Sequence, residues 1–223
     1  MKKIMKKNIK TLLRENLIEY VEPSNIIRAY HGSNTNITNF VDDFVGGTGA
    51  DDADGPGIYF TSQIDNARMF GNVIYVVDLN TRKMITNQPI TKLNQNELVR
   101  NLKKLILMSP DWEGSAQNWN EDPKEGLRLN IESILKYEDV ESDAYFTIYN
   151  DYYTGTPVKF VKAMVKLGFD GYYVPKPHFD MEDVTHYIIY NPSIIKLIDI
   201  NQIDEDEKYI KTLLRESLLK EYY

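Results

Sequence analysis

Gly57-Ile58-Tyr59-Phe60-Thr61-Ser62-Gln63-Ile64-Asp65-Asn66-Ala67-Arg68-Met69-Phe70-Gly71 reads as a strand that runs straight into a helix. Ile, Tyr, Phe and Thr over Gly57–Thr61 suit a half-buried pleated surface. Ser62 with Asp65 three residues on has the form of a capping box, which predicts a helix over Ser62–Phe70 with Gly71 behind it. Outward from this unit, short runs rich in Ile, Val, Tyr or Phe predict strands at Ile26–His31, Val73–Leu79, Tyr145–Tyr149, Gly171–Val174, His186–Tyr190 and Ile194–Asp199. Helices are expected at Asn94–Met108, Leu127–Tyr137 and Pro157–Leu167, the last with Thr156 as a cap before a proline at the first helical position. Ser109–Gly126, with Trp112 and Trp119 among polar residues, reads as a long surface loop. No Pro/Ser-rich linker divides these elements, so one α+β domain over residues 23–202 is the expectation.

The ends carry a repeat. Ile9-Lys-Thr-Leu-Leu-Arg-Glu-Asn-Leu17 recurs as Ile210-Lys-Thr-Leu-Leu-Arg-Glu-Ser-Leu218, identical at eight of nine positions. The apolar residues of each copy fall on one helical face, so residues 1–22 and 203–223 read as amphipathic helices. A spacing of 201 residues excludes a solenoid array. Two readings stand open: a pair of helices covering the core, or a duplicated docking tag recognised by one partner. The identity at Lys, Thr, Arg and Glu favours the tag; the shared apolar face suits either.

Composition narrows the chemistry. With 223 residues, 42% of them hydrophobic, the chain has enough apolar material for a real core. Zero cysteines remove disulfides, thiolate metal sites and cysteine nucleophiles. A net charge of −7 argues against nonspecific phosphate-backbone binding, although residues 2–14 carry six Lys/Arg and no acid. No apolar run is long enough to span a membrane, so a soluble, cytoplasmic protein without a membrane partner is expected. Gly46-Gly47-Thr48-Gly49 lacks the Gly-Lys-Ser/Thr of a phosphate loop. Asp51, Asp52 and Asp54 lack the closing Glu of a calcium loop. His31, His178 and His186 show no i,i+4 pairing, so no catalytic metal is expected.

The remaining constellation is distributed: Tyr30-His31-Gly32-Ser33, Gly57-Ile58-Tyr59-Phe60-Thr61, Ala67-Arg68-Met69-Phe70-Gly71, Gly168-Phe169-Asp170-Gly171-Tyr172 and His186-Tyr187-Ile188-Ile189-Tyr190-Asn191-Pro192. In this order and spacing the segments resemble the ADP-ribosyltransferase superfamily, in its diphtheria-toxin and poly(ADP-ribose)-polymerase-like branch, and within it small phage and mobile-element transferases. The resemblance covers about residues 26–199, with a poor match over 80–155, and leaves out the end repeats. It implies a split β-sandwich of two antiparallel sheets with flanking helices, NAD as substrate in the cleft between them, and transfer of ADP-ribose to an acceptor, expected to be a protein. It also admits delivery from a virion into a host cytoplasm.

Carried over residue by residue, the resemblance implies that His31 hydrogen-bonds the adenosine ribose, Gly32 offers its backbone to the nicotinamide amide and Ser33 assists through its hydroxyl. Tyr59 would stack on nicotinamide and Phe70 close the other ring face, with Met69 the weaker candidate. The departure is at the third motif. Most active members hold a Glu directly before this strand's Tyr, where it steadies the oxocarbenium-like transition state. Here that position is His186, which brings no fixed negative charge; Glu182 and Asp183, just upstream, are the nearest carboxylates. Two rival readings follow: a catalytically weak or inactive nucleotide-binding or packaged phage protein of this fold, and an RNA 2′-phosphotransferase-like enzyme, for which only Arg28 and Arg68 lie near the motifs.

Overall fold

The computed structural model describes residues 25–40, 55–175 and 184–202; the end repeats, the Gly46–Gly49 and Asp51–Asp54 stretch, His178, Glu182 and Asp183 lie outside the described residues. The domain is α+β. Its strands are β1 (Asn25–Ser33), β2 (Ile58–Thr61), β3 (Val73–Thr81), β4 (Met84–Ile85), β5 (Gly171–Pro175), β6 (Thr185–Ile189) and β7 (Ile195–Gln202). They form a mixed seven-stranded sheet in the order β4-β5-β6-β2-β1-β3-β7, parallel at β4–β5 and antiparallel elsewhere. Hydrogen bonding thus links the strands into one sheet where two were expected. The link is slight: β1 and β2 meet at the single register pair Tyr30↔Thr61, against nine pairs between β1 and β3.

Between β4 and β5 the chain builds a helical layer: α2 (Gln95–Leu107), α3 (Trp112–Gln117), α4 (Pro123–Tyr137), α5 (Glu141–Tyr152) and α6 (Pro157–Lys166), while α1 (Ile64–Ala67) follows β2. The buried residues of α2, Leu98, Leu102, Leu105 and Ile106, keep the helical spacing seen in the sequence. Phe160 of α6 meets Tyr190 edge-on at 6.1 Å, which joins the layer to the sheet. Burial pushes the Tyr190 phenol far above its ordinary range, so it stays neutral.

Four expectations change here. Tyr145–Tyr149 is helical, inside α5, and not a strand. Its aromatic and β-branched composition pointed to β, but Ser142, Tyr145, Ile148 and Tyr152 are buried at helical spacing and tertiary packing decides. The expected loop Ser109–Gly126 contains α3 and the start of α4. Asp111 accepts a hydrogen bond from the Gly114 amide (3.3 Å) and Asp122 from that of Lys124 (3.0 Å), so both helix starts are capped. The helix expected over Ser62–Phe70 is only α1, with Gln63 at its cap; Ser62 Oγ instead accepts from the Thr185 amide at 3.0 Å, tying the end of β2 to the start of β6. Thr156 precedes Pro157 as expected, yet its hydroxyl donates back to the Tyr153 carbonyl (2.9 Å) and does not cap α6.

Asp170 fixes the frame around β4, β5 and β6. Its carboxylate accepts from the Arg82 and Lys83 amides at 2.7 and 3.1 Å, its own amide donates to the Lys83 carbonyl at 2.8 Å, and its carbonyl accepts from the Tyr190 amide at 2.8 Å. A charge-assisted clip of this kind explains a buried acid with no ion-pair partner among the described residues. Gly168, at φ +87°, supplies the left-handed turn that ends α6 just before it.

Candidate functional site

The site is built where β2 parts from β1. Past Tyr30, β1 keeps β3 on one side through His31↔Tyr75, Gly32↔Ile74 and Ser33↔Val73. Among the described residues no strand pairs its other edge. Backbone amides and carbonyls on an open edge are an offer of hydrogen bonds.

His31 spans the opening. Its Nδ1 lies 2.7 Å from the Tyr59 carbonyl oxygen. A carbonyl only accepts, so Nδ1 carries the hydrogen, and in the neutral ring Nε2 keeps the lone pair. The imidazole meets Phe40 edge-on at 5.4 Å and tilts against Phe60 and Tyr75 at 5.6 and 6.1 Å. Burial holds its pKa below the ordinary imidazole range, against a smaller opposing pull from the Tyr59 carbonyl, so the ring is neutral at pH 7.

Gly32 has a packing reason of its own. A Cβ there would sit 1.9 Å from the Ala67 carbonyl oxygen, and one on Gly71 would sit 2.3 Å from that of Ser33. The end of β1 therefore packs backbone to backbone on the turn after α1. The Phe70 amide donates to that same Ala67 carbonyl at 3.0 Å, which fixes Phe70 beside the open edge. Phe70 and Met69 are 57% and 65% exposed. Ser33 Oγ is occupied locally, 3.1 Å from both the amide and the hydroxyl of Thr35.

Tyr59 is half-buried, and its hydroxyl donates to the Gly55 carbonyl at 2.5 Å. The register Tyr59↔Ile188 and Thr61↔His186 puts these four side chains on one face of the sheet by strand alternation. Phe60, which touches the His31 ring, belongs to the other face. His31 and His186 thus approach β2 from opposite sides. A gap between two strands lets a single ligand meet side chains from both faces.

His186 is 8% exposed, and its Nε2 lies 3.2 Å from Oδ1 of Asn66, itself 6% exposed. Sequence reasoning passed over Asn66, whose inward position on so short a helix only the structure reveals. It also passed over the tie from Ser62 to Thr185. Arg28 and Arg68 are both committed to acids, Arg28 to Asp78 at 2.6 Å and Arg68 to Asp65 at 2.7 Å. Among the described residues no three His, Asp or Glu side chains gather as a metal site, and no helix is long and apolar enough to cross a membrane. One small pocket lies between sheet and helical layer, against Tyr145, Phe160, Tyr172 and Tyr190. Another is lined by Ile37, Ile195, Leu197 and Phe40, the ring that meets His31 edge-on.

No family model matches the chain, and no curated protein does. Among solved structures, the crystal structure of an anti-CRISPR protein is similar over 79% of this chain and 98% of that one, at a TM-score of 0.39 and 14% identity.

Proposed function

We propose that this chain is an NAD-dependent mono-ADP-ribosyltransferase. The observation that carries the reading is the β1 edge at His31–Ser33, which no strand pairs among the described residues, bounded by Tyr59 on the facing strand and by the exposed Phe70. A carboxamide matches the donor and acceptor of an extended backbone edge, so the Gly32 main chain would take the nicotinamide amide. Phe70 and Tyr59 supply aromatic faces for a planar pyridinium, whose positive charge suits the negative face of a ring. His31, with Nδ1 committed to Tyr59, offers Nε2 as acceptor to a ribose hydroxyl. In the reaction the bond from ribose C1′ to the nicotinamide nitrogen breaks, its electron pair leaves with neutral nicotinamide, and an acceptor nucleophile bonds to C1′ as its proton passes to water.

The single-pair joint between β1 and β2 supports the finer fold expectation as well. Half-sheets β4-β5-β6-β2 and β1-β3-β7 would be the two sheets of a split sandwich with NAD between them. A phosphotransferase needs several basic residues near the cleft, and Arg28 and Arg68, the two near the motifs, are ion-paired, which weighs against that rival. The binding-module reading has its own observation, the contact of His186 with the Asn66 amide where a carboxylate is expected.

Incubation of the protein with NAD, followed by chromatography for nicotinamide and mass spectrometry for ADP-ribose adducts, tests the choice. Nicotinamide release above the uncatalysed rate and lost in Tyr59→Ala supports the transferase. A melting temperature raised by NAD without release replaces the enzyme by a nucleotide-binding module. Neither effect at millimolar NAD removes both.

A further inference from the structure

β7 ends the sheet beyond β3, and among the described residues no strand pairs its outer edge. Along it Leu197, Ile198 and Ile200 are 42%, 40% and 47% exposed. A long apolar edge is a template for another strand unless charges or bulges blunt it. β7 carries both devices, so their arrangement decides what the edge is for. Register with β3 assigns the faces. Ile195, Leu197 and Ile200 stand opposite Leu79, Val77 and Tyr75, all fully buried in the core. Lys196 and Asp199, both exposed, stand opposite Asp78 and Val76 on the other face, and Ile198 is the extra residue of a bulge. The core face thus runs out at β7 with its apolar side chains half covered.

The two charges are the informative pair. Among the described residues neither Lys196 nor Asp199 has an ion-pair partner; Asp78 is held by Arg28 at 2.6 Å, and Asp199 Oδ1 accepts from the Ile200 amide at 2.9 Å. They lie equally far in sequence from the Leu197–Ile198 bond and have opposite signs, which makes the edge self-complementary under a two-fold axis. With a second β7 laid antiparallel about that bond, Lys196 of each copy faces Asp199 of the other, Ile195 faces Ile200, and Leu197 faces Ile198. Charge and face agree in this register. A slip of one residue either way sets Ile195 against Asp199 or Lys196 against Ile200.

We infer that the outer edge of β7 is a self-association surface, through which two copies of this chain pair antiparallel over Ile195–Ile200 and continue the sheet and its core face across the two-fold axis. The pairing gives the outer amides and carbonyls of the edge their partners. One strand per copy is a small interface, so the dimer is a concentration-dependent one in the micromolar range. Nothing in this pairing depends on the transferase reading.

The experiment is sedimentation equilibrium of the full chain across the micromolar range, where a reversible monomer–dimer equilibrium is expected. Lys196→Asp and Asp199→Lys each set like charges at both cross-strand pairs and should weaken the dimer by about tenfold or more. An equimolar mixture of the two variants lays an acidic edge against a basic one and should associate at least as tightly as the wild type, with all differences shrinking as salt is raised. Cooperative melts of the monomeric variants check the fold. Should either variant fail to fold, Ile198→Lys, which sets a charge against Leu197 of the second copy, should abolish the dimer in its place. A wild-type chain that stays monomeric overturns the inference, whether residues 203–223 or a foreign strand take the edge. A dimer indifferent to these substitutions, or a mixture no tighter than its separate components, overturns it as well, by placing the interface elsewhere.

Discussion

The two edges of β1 have opposite fates. Toward β3 the strand is in register from Asn25↔Thr81 to Ser33↔Val73; toward β2 it makes the one pair Tyr30↔Thr61. Among the described residues the same nine therefore serve as the centre of a sheet on one side and as an open edge on the other. An unpaired edge in a protein is usually covered or blunted, because it invites strangers. Here it is framed by an imidazole, an aromatic ring and a backbone turn. The difference teaches where to look for function: in the flank whose hydrogen bonds are left to be made. Substitutions on the closed side should cost stability, and substitutions on the open side should cost ligand binding.

The largest expected effect is on the closed side. Tyr75 is fully buried opposite His31, and its hydroxyl accepts from the Ile37 amide at 2.5 Å and donates to the Thr35 carbonyl at 3.1 Å. Tyr75→Ala should cost about 3–5 kcal/mol in urea unfolding, through a cavity and two broken ties to the segment after β1. A loss under about 1 kcal/mol would mean that the closed flank is not the structural one.

Gly32→Ala comes next and strikes both sides. The added methyl meets the Ala67 carbonyl oxygen at 1.9 Å, a backbone atom that no rotamer change can move aside. Overpacking of this kind costs about 1–3 kcal/mol, and at roughly 2–4 °C per kcal/mol the melting temperature should fall by several degrees. The displacement of α1 should also remove the stabilisation by NAD. A variant that melts like the wild type would show that the turn is looser than its contacts imply.

What the sequence revealed and what it hid divide along the same line. Strands such as Val73–Leu79 and helices such as Asn94–Met108 were legible because each buries a face at its own period. Tyr145–Tyr149 was not, since aromatic residues suit any buried surface and only packing against Phe160 and Phe169 selects the helix. Asp122-Pro123 carried the same cap-and-proline signal that was read at Thr156-Pro157, so the start of α4 was there to be found. At the candidate site, His31, Gly32, Tyr59 and Phe70 were proposed from the resemblance of their motifs. Asn66 and Ser62 could not be, because their partners His186 and Thr185 are about 120 residues away, and a polar side chain announces neither its partner nor its direction.

On the open side the effects should leave the fold intact. Phe70→Ala removes a ring that is more than half exposed, so unfolding free energy should change by about 0.5 kcal/mol or less. If the ring closes one face of nicotinamide, the loss of one aromatic contact of about 0.5–1.5 kcal/mol weakens NAD by roughly two- to tenfold, measured by calorimetry. Unchanged affinity would withdraw Phe70 from the site and leave Met69 as the side chain to test.

The smallest effect is a slope. His31 titrates below the ordinary imidazole value because burial disfavours its cation, the Tyr59 carbonyl opposing only in part. Between that lowered pKa and about 6.5 the unfolded chain binds a proton that the native ring refuses, so stability falls as pH drops through this window and levels off below the native pKa. The contribution of one such group cannot exceed about 1.4 kcal/mol per pH unit. Other groups titrate in the same range, so the measurement is a difference. Urea unfolding of wild type and His31→Asn is compared from pH 7.5 to 5, the Asn amide standing in for the Nδ1 donor. The wild type should lose more stability on acidification than the variant. Equal slopes would mean that His31 is as hydrated as in the unfolded chain. A wild type that gains on acidification relative to the variant would mean a native imidazolium, with both nitrogens donors and no acceptor left for a ribose hydroxyl.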